Sequence, residues 1–278
     1  MAEPFKVDFM IVGAQKCGTT TLSQILRRHP SVTQCSVKEP HFFSKCENWR
    51  AELPRYQRLF TAGDGTLRFE ASTTYTMFPH ANLEIWEDLY AFNAALKIVY
   101  LVRHPIQRVT SGYMHLYERG YTDLSFERAL VELPVILDVT RYATQIEPFV
   151  HRFGRERVRI IFFEDLSRDP MAVAYDLSRF LGIDPAKFAD IDAVHRNESV
   201  GGGKRHHKYD RPGWFLRGVR RFAPPLWRAI TDNSARSFQS KPVLSLQYRR
   251  LVIHMLRSEI DRLEEMTGRN LDHWRSCE

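Results

Sequence analysis

Cysteine is scarce in this 278-residue chain: Cys17, Cys35, Cys46 and Cys277 show neither CxxC spacing nor a dense framework. A structural zinc site or a disulfide-stapled scaffold is therefore disfavoured, and reduced thiols suit a cytoplasmic chain. Long apolar runs are missing as well. Phe9–Val12 stops at a glycine, and no window approaches the ~18 uninterrupted apolar residues of a membrane-spanning helix. The opening Met1-Ala2-Glu3-Pro4-Phe5-Lys6 lacks the basic-then-apolar layout of a secretory signal. The expectation is a soluble cytoplasmic protein without a membrane span. There is no internal repeat and no low-complexity tract. A content of 44% hydrophobic and 26% charged residues is ordinary for a globular protein, which excludes fibres and disordered chains. The length suits one large α/β domain or one domain with insertions.

Acidic residues are outnumbered, 33 against 40 Lys and Arg, for a formal net charge of +7. Such an excess favours polyanionic ligands: nucleotides, sulfated or carboxylated glycans, nucleic acids. It does not separate them, and a basic surface kept for solubility explains the charge equally well.

What is present has a repeating order. Phe9-Met10-Ile11-Val12 reads as a buried strand that feeds a loop at Gly13. Thr19 to Arg28 follows with Leu22, Ile25 and Leu26 at helical spacing, closed by His29-Pro30. A second strand is predicted over Leu96–Val102 by its β-branched content, and a helix over Ile106–Glu118 after His104-Pro105. A third run, Val158–Phe163, precedes a helix opened by Asp169-Pro170 and running through Leu181. Residues 200–225, rich in glycine, basic and aromatic residues, read as a long irregular loop. Val243–Met266 reads as one amphipathic helix. Strands alternating with helices predict an α/β fold: a P-loop-like central parallel sheet of about five strands with helices on both faces, in a single domain over residues 1–278.

The most informative stretch is Gly13-Ala14-Gln15-Lys16-Cys17-Gly18-Thr19-Thr20. Two glycines between a strand and a helix let successive backbone N–H groups converge on a phosphate. A P-loop nucleoside triphosphatase carries Lys then Ser/Thr directly after the second glycine. Here Thr19 stands there and the lysine lies inside the loop, at Lys16. A Mg²⁺-triphosphate grip is thus poorly supported, whereas a loop lysine is placed to neutralise charge building on a leaving phosphate oxygen. A tight turn with an exposed lysine is the alternative.

With the strand before it and Leu22…Leu26…His29-Pro30 after it, this loop resembles the 5′-phosphosulfate motif of sulfotransferases that use 3′-phosphoadenosine 5′-phosphosulfate (PAPS). The resemblance implies that Gly13, Gln15, Lys16, Cys17, Gly18, Thr19, Thr20 and Thr21 form the PAPS site, with Lys16 as catalytic electrophile. Cys17, where the family usually has a small residue, reads as a loop filler because no base lies near it in sequence.

Arg103 and Ser111 follow, one just after the second strand and one inside the next helix. A guanidinium fork and a hydroxyl suit a terminal phosphate, although an arginine in this place is also a common surface salt-bridge partner. Leu101-Val102-Arg103-His104-Pro105-Ile106 with Ser111-Gly112-Tyr113 resembles the family's 3′-phosphate motif.

Lys38-Glu39-Pro40-His41-Phe42-Phe43 resembles the Lys-Glu-x-His-Phe-Phe block of the heparan sulfate-type enzymes and their bacterial relatives. By that likeness Glu39 is the general base that takes the acceptor's proton, with His41 its helper or a second candidate, and Lys38 reaches the leaving phosphate. The bland alternative is a Lys38–Glu39 surface pair beside a core histidine. Glu70-Ala71-Ser72-Thr73-Thr74-Tyr75 resembles a segment lining the acceptor cleft; a strand end with turn-forming hydroxyls is the alternative.

Gly201-Gly202-Gly203-Lys204-Arg205-His206-His207-Lys208 joins flexible glycines to a positive patch. The resemblance implies that Gly203, Lys204 and Arg205 close over the adenosine and its 3′-phosphate, though the residue order departs from the family's. A nucleic-acid patch is the rival. Two adjacent histidines without a spaced third ligand do not make a metal site.

The resulting expectation is a PAPS-dependent sulfotransferase acting without metal on a hydroxyl or amine of a small-molecule or glycan acceptor, with no nucleic-acid partner and an open oligomeric state. A P-loop kinase or ATPase and a non-catalytic polyanion-binding protein are the alternatives.

Overall fold

The computed structural model describes residues 5–60, 66–188 and 238–276. In chain order they form β1 (Phe9–Gly13), α1 (Thr19–Leu26), β2 (Val32–Gln34), α2 (Phe42–Lys45), α3 (Trp49–Gln57), β3 (Leu67–Ala71), a 3₁₀ turn (Thr73–Thr76), α4 (Ile85–Phe92), β4 (Lys97–Val102) and α5 (Pro105–Glu118). They continue as α6 (Phe126–Glu132), α7 (Val135–Asp138), α8 (Tyr142–Phe153), β5 (Val158–Phe162), α9 (Phe163–Arg168), α10 (Pro170–Leu181), α11 (Leu246–Met255), α12 (Arg257–Thr267) and α13 (Asp272–Arg275).

One five-stranded sheet runs β2-β3-β1-β4-β5, and every pairing is parallel. Each β1 residue is buried, as is β4 from Ile98 to Val102, so both faces of the central strands are covered. α1 and α10 pack together against the sheet, and so do α4 and α8. Their apolar sides close on a core that includes the stacked rings of Phe9 and Phe69, with centroids 4.8 Å apart. Sequence-local chemistry ends the helices where it should. The Asp169 side chain accepts the Ala172 N–H at 2.9 Å ahead of Pro170, and Gly182 closes α10 in the left-handed conformation.

The chain visits β2 at the sheet edge, returns to β3 beside β1, then crosses to β4 on the other side of β1. This reversal opens a crevice at the carboxyl ends of the strands, where β1 delivers its loop. On the flank, α5, α6 and α11 share a second apolar cluster with Val109, Tyr113, Phe126, Leu244, Val252 and Leu256, which fixes α5 from behind.

Two expectations require correction. Residues 243–266 do not form one helix: α11 ends at Met255 and α12 starts at Arg257. Leu256, fully buried at the joint, is driven into the core, and packing rather than a glycine or proline makes the break. The third strand stops at Phe162, because Phe163 begins α9. Residues 200–225 lie outside the described residues.

Candidate functional site

β1 ends at Gly13, and the chain curls through residues 14–18 before α1 begins. The turn is internally braced. Ala14 N–H donates to the Leu101 carbonyl of β4 at 2.8 Å, and Cys17 N–H donates to the Ala14 carbonyl at 3.2 Å. Gly13 leaves no room for a side chain: a Cβ there would stand 1.9 Å from Thr76 Oγ1, itself bonded to the Val12 carbonyl at 2.8 Å. Gly18 is the N-cap of α1 at φ +90°, a left-handed conformation that favours glycine, and a Cβ would lie 2.7 Å from the Phe163 ring. The N-cap Gly18 brings no side-chain acceptor to α1, whose positive N-terminal end suits an external acceptor such as a phosphate.

Within this turn Lys16 has φ +70°. Gln15 turns its carbonyl inward, where Arg108 Nε–H donates to it at 3.2 Å. Cys17 is fully buried, with its sulfur 3.6 Å from the Tyr142 hydroxyl. Burial pushes its thiol up to about 11, so it stays protonated. Thr19 is buried, while Thr20 and Thr21 are half-buried on the first turn.

Arg103 leaves the end of β4 at the same crevice. One terminal N–H reaches the Lys16 carbonyl at 3.5 Å, the other terminal nitrogen and Nε–H donate to Gln107 Oε1 at 3.1 and 3.2 Å, and the guanidinium lies over the Phe163 ring at 4.2 Å. Ser111 sits one helical turn beyond Gln107, on the same face of α5. The Tyr142 hydroxyl donates to the Arg103 carbonyl at 2.8 Å while facing the Cys17 sulfur. The two sequence motifs, some 90 residues apart, are therefore bolted together.

Facing α1, residues 38–43 present Glu39 and His41. Glu39 Oε2 lies 3.6 Å from His41 Nε2 and accepts from Thr73 Oγ1 at 3.3 Å. His41 Nδ1 meets Thr74 Oγ1 at 2.8 Å, and its own N–H donates to Ser72 Oγ at 3.0 Å. Ser44 Oγ bonds Thr74 Oγ1 at 2.6 Å, and Tyr75 OH accepts the Phe43 N–H at 3.3 Å. Both Glu39 (φ +51°) and His41 (φ +54°) are left-handed. Non-glycine residues in that region store about 1–3 kcal/mol each and persist only where the surroundings hold them. Among the described residues only Lys16, Glu39 and His41 do so.

Between these parts opens a cavity of about 370 Å³, bordered by Thr19 and Thr20 of α1 and by Lys38 and Glu39 opposite, with Arg27 and Gln34 farther along. Of the 70–75 segment only Ala71 borders it; the hydroxyl side chains stand behind Glu39 and His41 as struts. Beneath them Glu70 is fully buried. The hydroxyls of Tyr75, Tyr56 and Ser72 approach its carboxyl, but none meets its oxygens with full hydrogen-bond geometry, and burial pushes it from 4.5 up to about 8.

The structure thus sets Gly13, Gln15, Lys16, Cys17, Gly18, Thr19, Thr20 and Thr21 in one turn and helix start with Arg103 against it, places Ser111 farther along α5, and puts Glu39 across the cavity from Thr19 with His41 beside Glu39. Gly203, Lys204 and Arg205 lie outside the described residues. Sequence reasoning missed Gln107, Arg108, Tyr142 and Phe163, and the bracing role of Ser72–Tyr75. Only Gln107 left a trace, its four-residue spacing from both Arg103 and Ser111. Among the described residues no group of three or more His, Cys, Asp or Glu is placed to hold a metal, and no helix is long and apolar enough to cross a membrane.

Comparison with known proteins follows the same lines. A family profile described as "Sulfotransferase domain" matches residues 6–199. Heparan sulfate glucosamine 3-O-sulfotransferase 5 of Mus musculus is 25% identical over 190 residues, covering 63% of this chain and 53% of that protein. Heparan sulfate glucosamine 3-O-sulfotransferase 6 of Homo sapiens is 27% identical over 183 residues, covering 63% and 52%. The chain spans about half the length of these curated relatives. A crystal structure of a sulfotransferase from Alicyclobacillus acidocaldarius superposes with a TM-score of 0.70 at 25% identity, covering 98% of this chain and all of the other.

Proposed function

The chain belongs to the sulfotransferase domain family, and from that premise we propose that it transfers a sulfuryl group from PAPS to a hydroxyl or amine of a small-molecule or glycan acceptor. The loop from Gly13 to Thr21 takes the 5′-phosphosulfate at the N-terminal end of α1, where the helix dipole favours an anion. Arg103 and Ser111 take the 3′-phosphate, the guanidinium offering paired donors. The acceptor enters the 370 Å³ cavity, which touches both Thr19 and Glu39.

In the reaction the acceptor oxygen or nitrogen attacks sulfur, and the bond between sulfur and the bridging oxygen of the 5′-phosphate breaks in line. Glu39 takes the acceptor's proton, with His41 beside it. Lys16 and the loop amides stabilise the charge that collects on the departing phosphate of adenosine 3′,5′-bisphosphate (PAP). No step calls for a metal. We read residues 1–278 as one domain working in a reducing, cytoplasmic compartment, in keeping with the free thiols of Cys17, Cys35 and Cys46.

One observation carries the proposal. The three described non-glycine residues at positive φ are Lys16, Glu39 and His41, the residues to which the chemistry assigns electrophile, base and helper. The test is calorimetric titration of PAP into the folded protein, followed by transfer of labelled sulfate from PAPS across an acceptor panel. Heat on PAP binding and labelled product are expected. No heat with PAP, or stabilisation by ATP·Mg²⁺ alone, overturns it.

A further inference from the structure

Arg108 is a charged group for which the proposed chemistry so far has no use. It lies on α5 with 1% of its surface exposed, and among the described residues no carboxylate pairs with it. All its recorded partners are neutral. Nε–H goes to the Gln15 carbonyl, and one terminal nitrogen goes to the Ile136 carbonyl and, at 3.0 Å, to Thr140 Oγ1. Thr140 Oγ1 is itself fixed on the Ile136 carbonyl at 2.8 Å. The helix makes room for the fold-back through Gly112, where a Cβ would stand 3.3 Å from the guanidinium carbon.

A buried ion without a counter-charge costs several kcal/mol, and a guanidinium does not escape by losing its proton. Its positive charge is therefore kept directly beneath the loop that carries Lys16. The Gln15 carbonyl it holds is one bond sequence away from the left-handed Lys16, so the same contact that buries the charge also turns a carbonyl oxygen away from the anion site. An anion seated on the loop amides supplies the missing negative charge across a low-dielectric gap.

The geometry points to Arg108 as a positioning residue and buried counter-charge for the 5′-phosphosulfate, acting through the Gln15 carbonyl without touching the ligand. This inference rests on the sulfotransferase reading above. It makes binding of the 5′ group, and not of the 3′-phosphate held by Arg103, depend on a residue remote from solvent.

The experiment compares two ligands on the full chain by calorimetry, PAP and adenosine 3′-monophosphate at millimolar concentration, the second lacking the 5′ group. Arg108→Gln removes the charge, Arg108→Lys keeps the charge and loses the fork, and Thr140→Val loosens the guanidinium at its far side while preserving shape. Circular dichroism and urea unfolding establish that each variant is folded. Arg108→Gln is expected to weaken PAP at least tenfold and to change adenosine 3′-monophosphate less than twofold. Arg108→Lys recovers part of the loss, and Thr140→Val gives a smaller, equally selective loss. Equal weakening of both ligands, or unaltered PAP affinity in the folded variants, overturns the inference. If Arg108→Gln does not fold, Thr140→Val decides by the same criterion. A wild-type protein that gives no heat with PAP fails the functional reading instead, so the two failures are distinct.

Discussion

Glu70 offers a quantitative test of the packing behind the site. Its carboxyl is fully buried at the end of β3, among Tyr56, Ser72 and Tyr75, and burial pushes it from 4.5 up to about 8. In the unfolded chain it titrates as an ordinary carboxylate. Between the two values the folded state holds a proton that the unfolded state has lost. Folding therefore takes up a proton, and stability must fall as pH rises through that window. The slope approaches about 1.4 kcal/mol per pH unit, and the full gap between 4.5 and about 8 corresponds to a loss on the order of 5 kcal/mol. Glu70→Gln keeps the shape and removes the titration. Urea unfolding of both proteins at pH 5, 6.5 and 8 isolates this group, because every other titration is common to the pair. The wild type is expected to lose roughly 3–5 kcal/mol relative to the variant between pH 5 and pH 8. Parallel curves for the two proteins would refute the reasoning, because they would mean that Glu70 ionises in the folded state as readily as in water.

Glu39→Gln should abolish sulfate transfer while leaving PAP affinity within about twofold, and Lys16→Ala should remove turnover; rate assays beside calorimetry separate the two roles. Thr74→Val cuts both the 2.8 Å contact to His41 and the 2.6 Å contact to Ser44. A fall in transfer of about fivefold, matching the ~1 kcal/mol of one buried hydrogen bond, is expected with PAP binding unchanged. Gly18→Ala places a methyl group 2.7 Å from Phe163 at φ +90°. Urea unfolding should show about 2–4 kcal/mol of lost stability, and PAP affinity should fall because Phe163 carries Arg103.

The legible part of the site was the part written locally. The displaced lysine in the first loop, the Arg103–Ser111 spacing and the Lys38–Phe43 block each occupy fewer than ten residues, and the structure brings all three to one crevice. The edge strand β2 left little signal because it is three residues long, too short for a period to declare itself. Its neighbour β3 carries a buried glutamate in its interior, which reads as surface until the tyrosines around it are known. The break at Leu256 was invisible for a related reason: neither glycine nor proline marks it, and only the buried side chain does.

The sequence by itself determined the parallel α/β class and the glycine-bounded turn between β1 and α1, and it supplied the residues to which the proposed chemistry assigns charge and protons. Hydrophobic periodicity, glycine geometry and capping act over a few residues and need no distant partner. Tertiary structure alone decided that Arg108 is buried under Gln15 with no carboxylate beside it among the described residues, that Tyr142 ties Cys17 to Arg103, and that Thr73 and Thr74 steady Glu39 and His41. Those contacts join residues more than thirty positions apart, and whether such side chains meet depends on strand order and close packing, quantities that no local pattern contains.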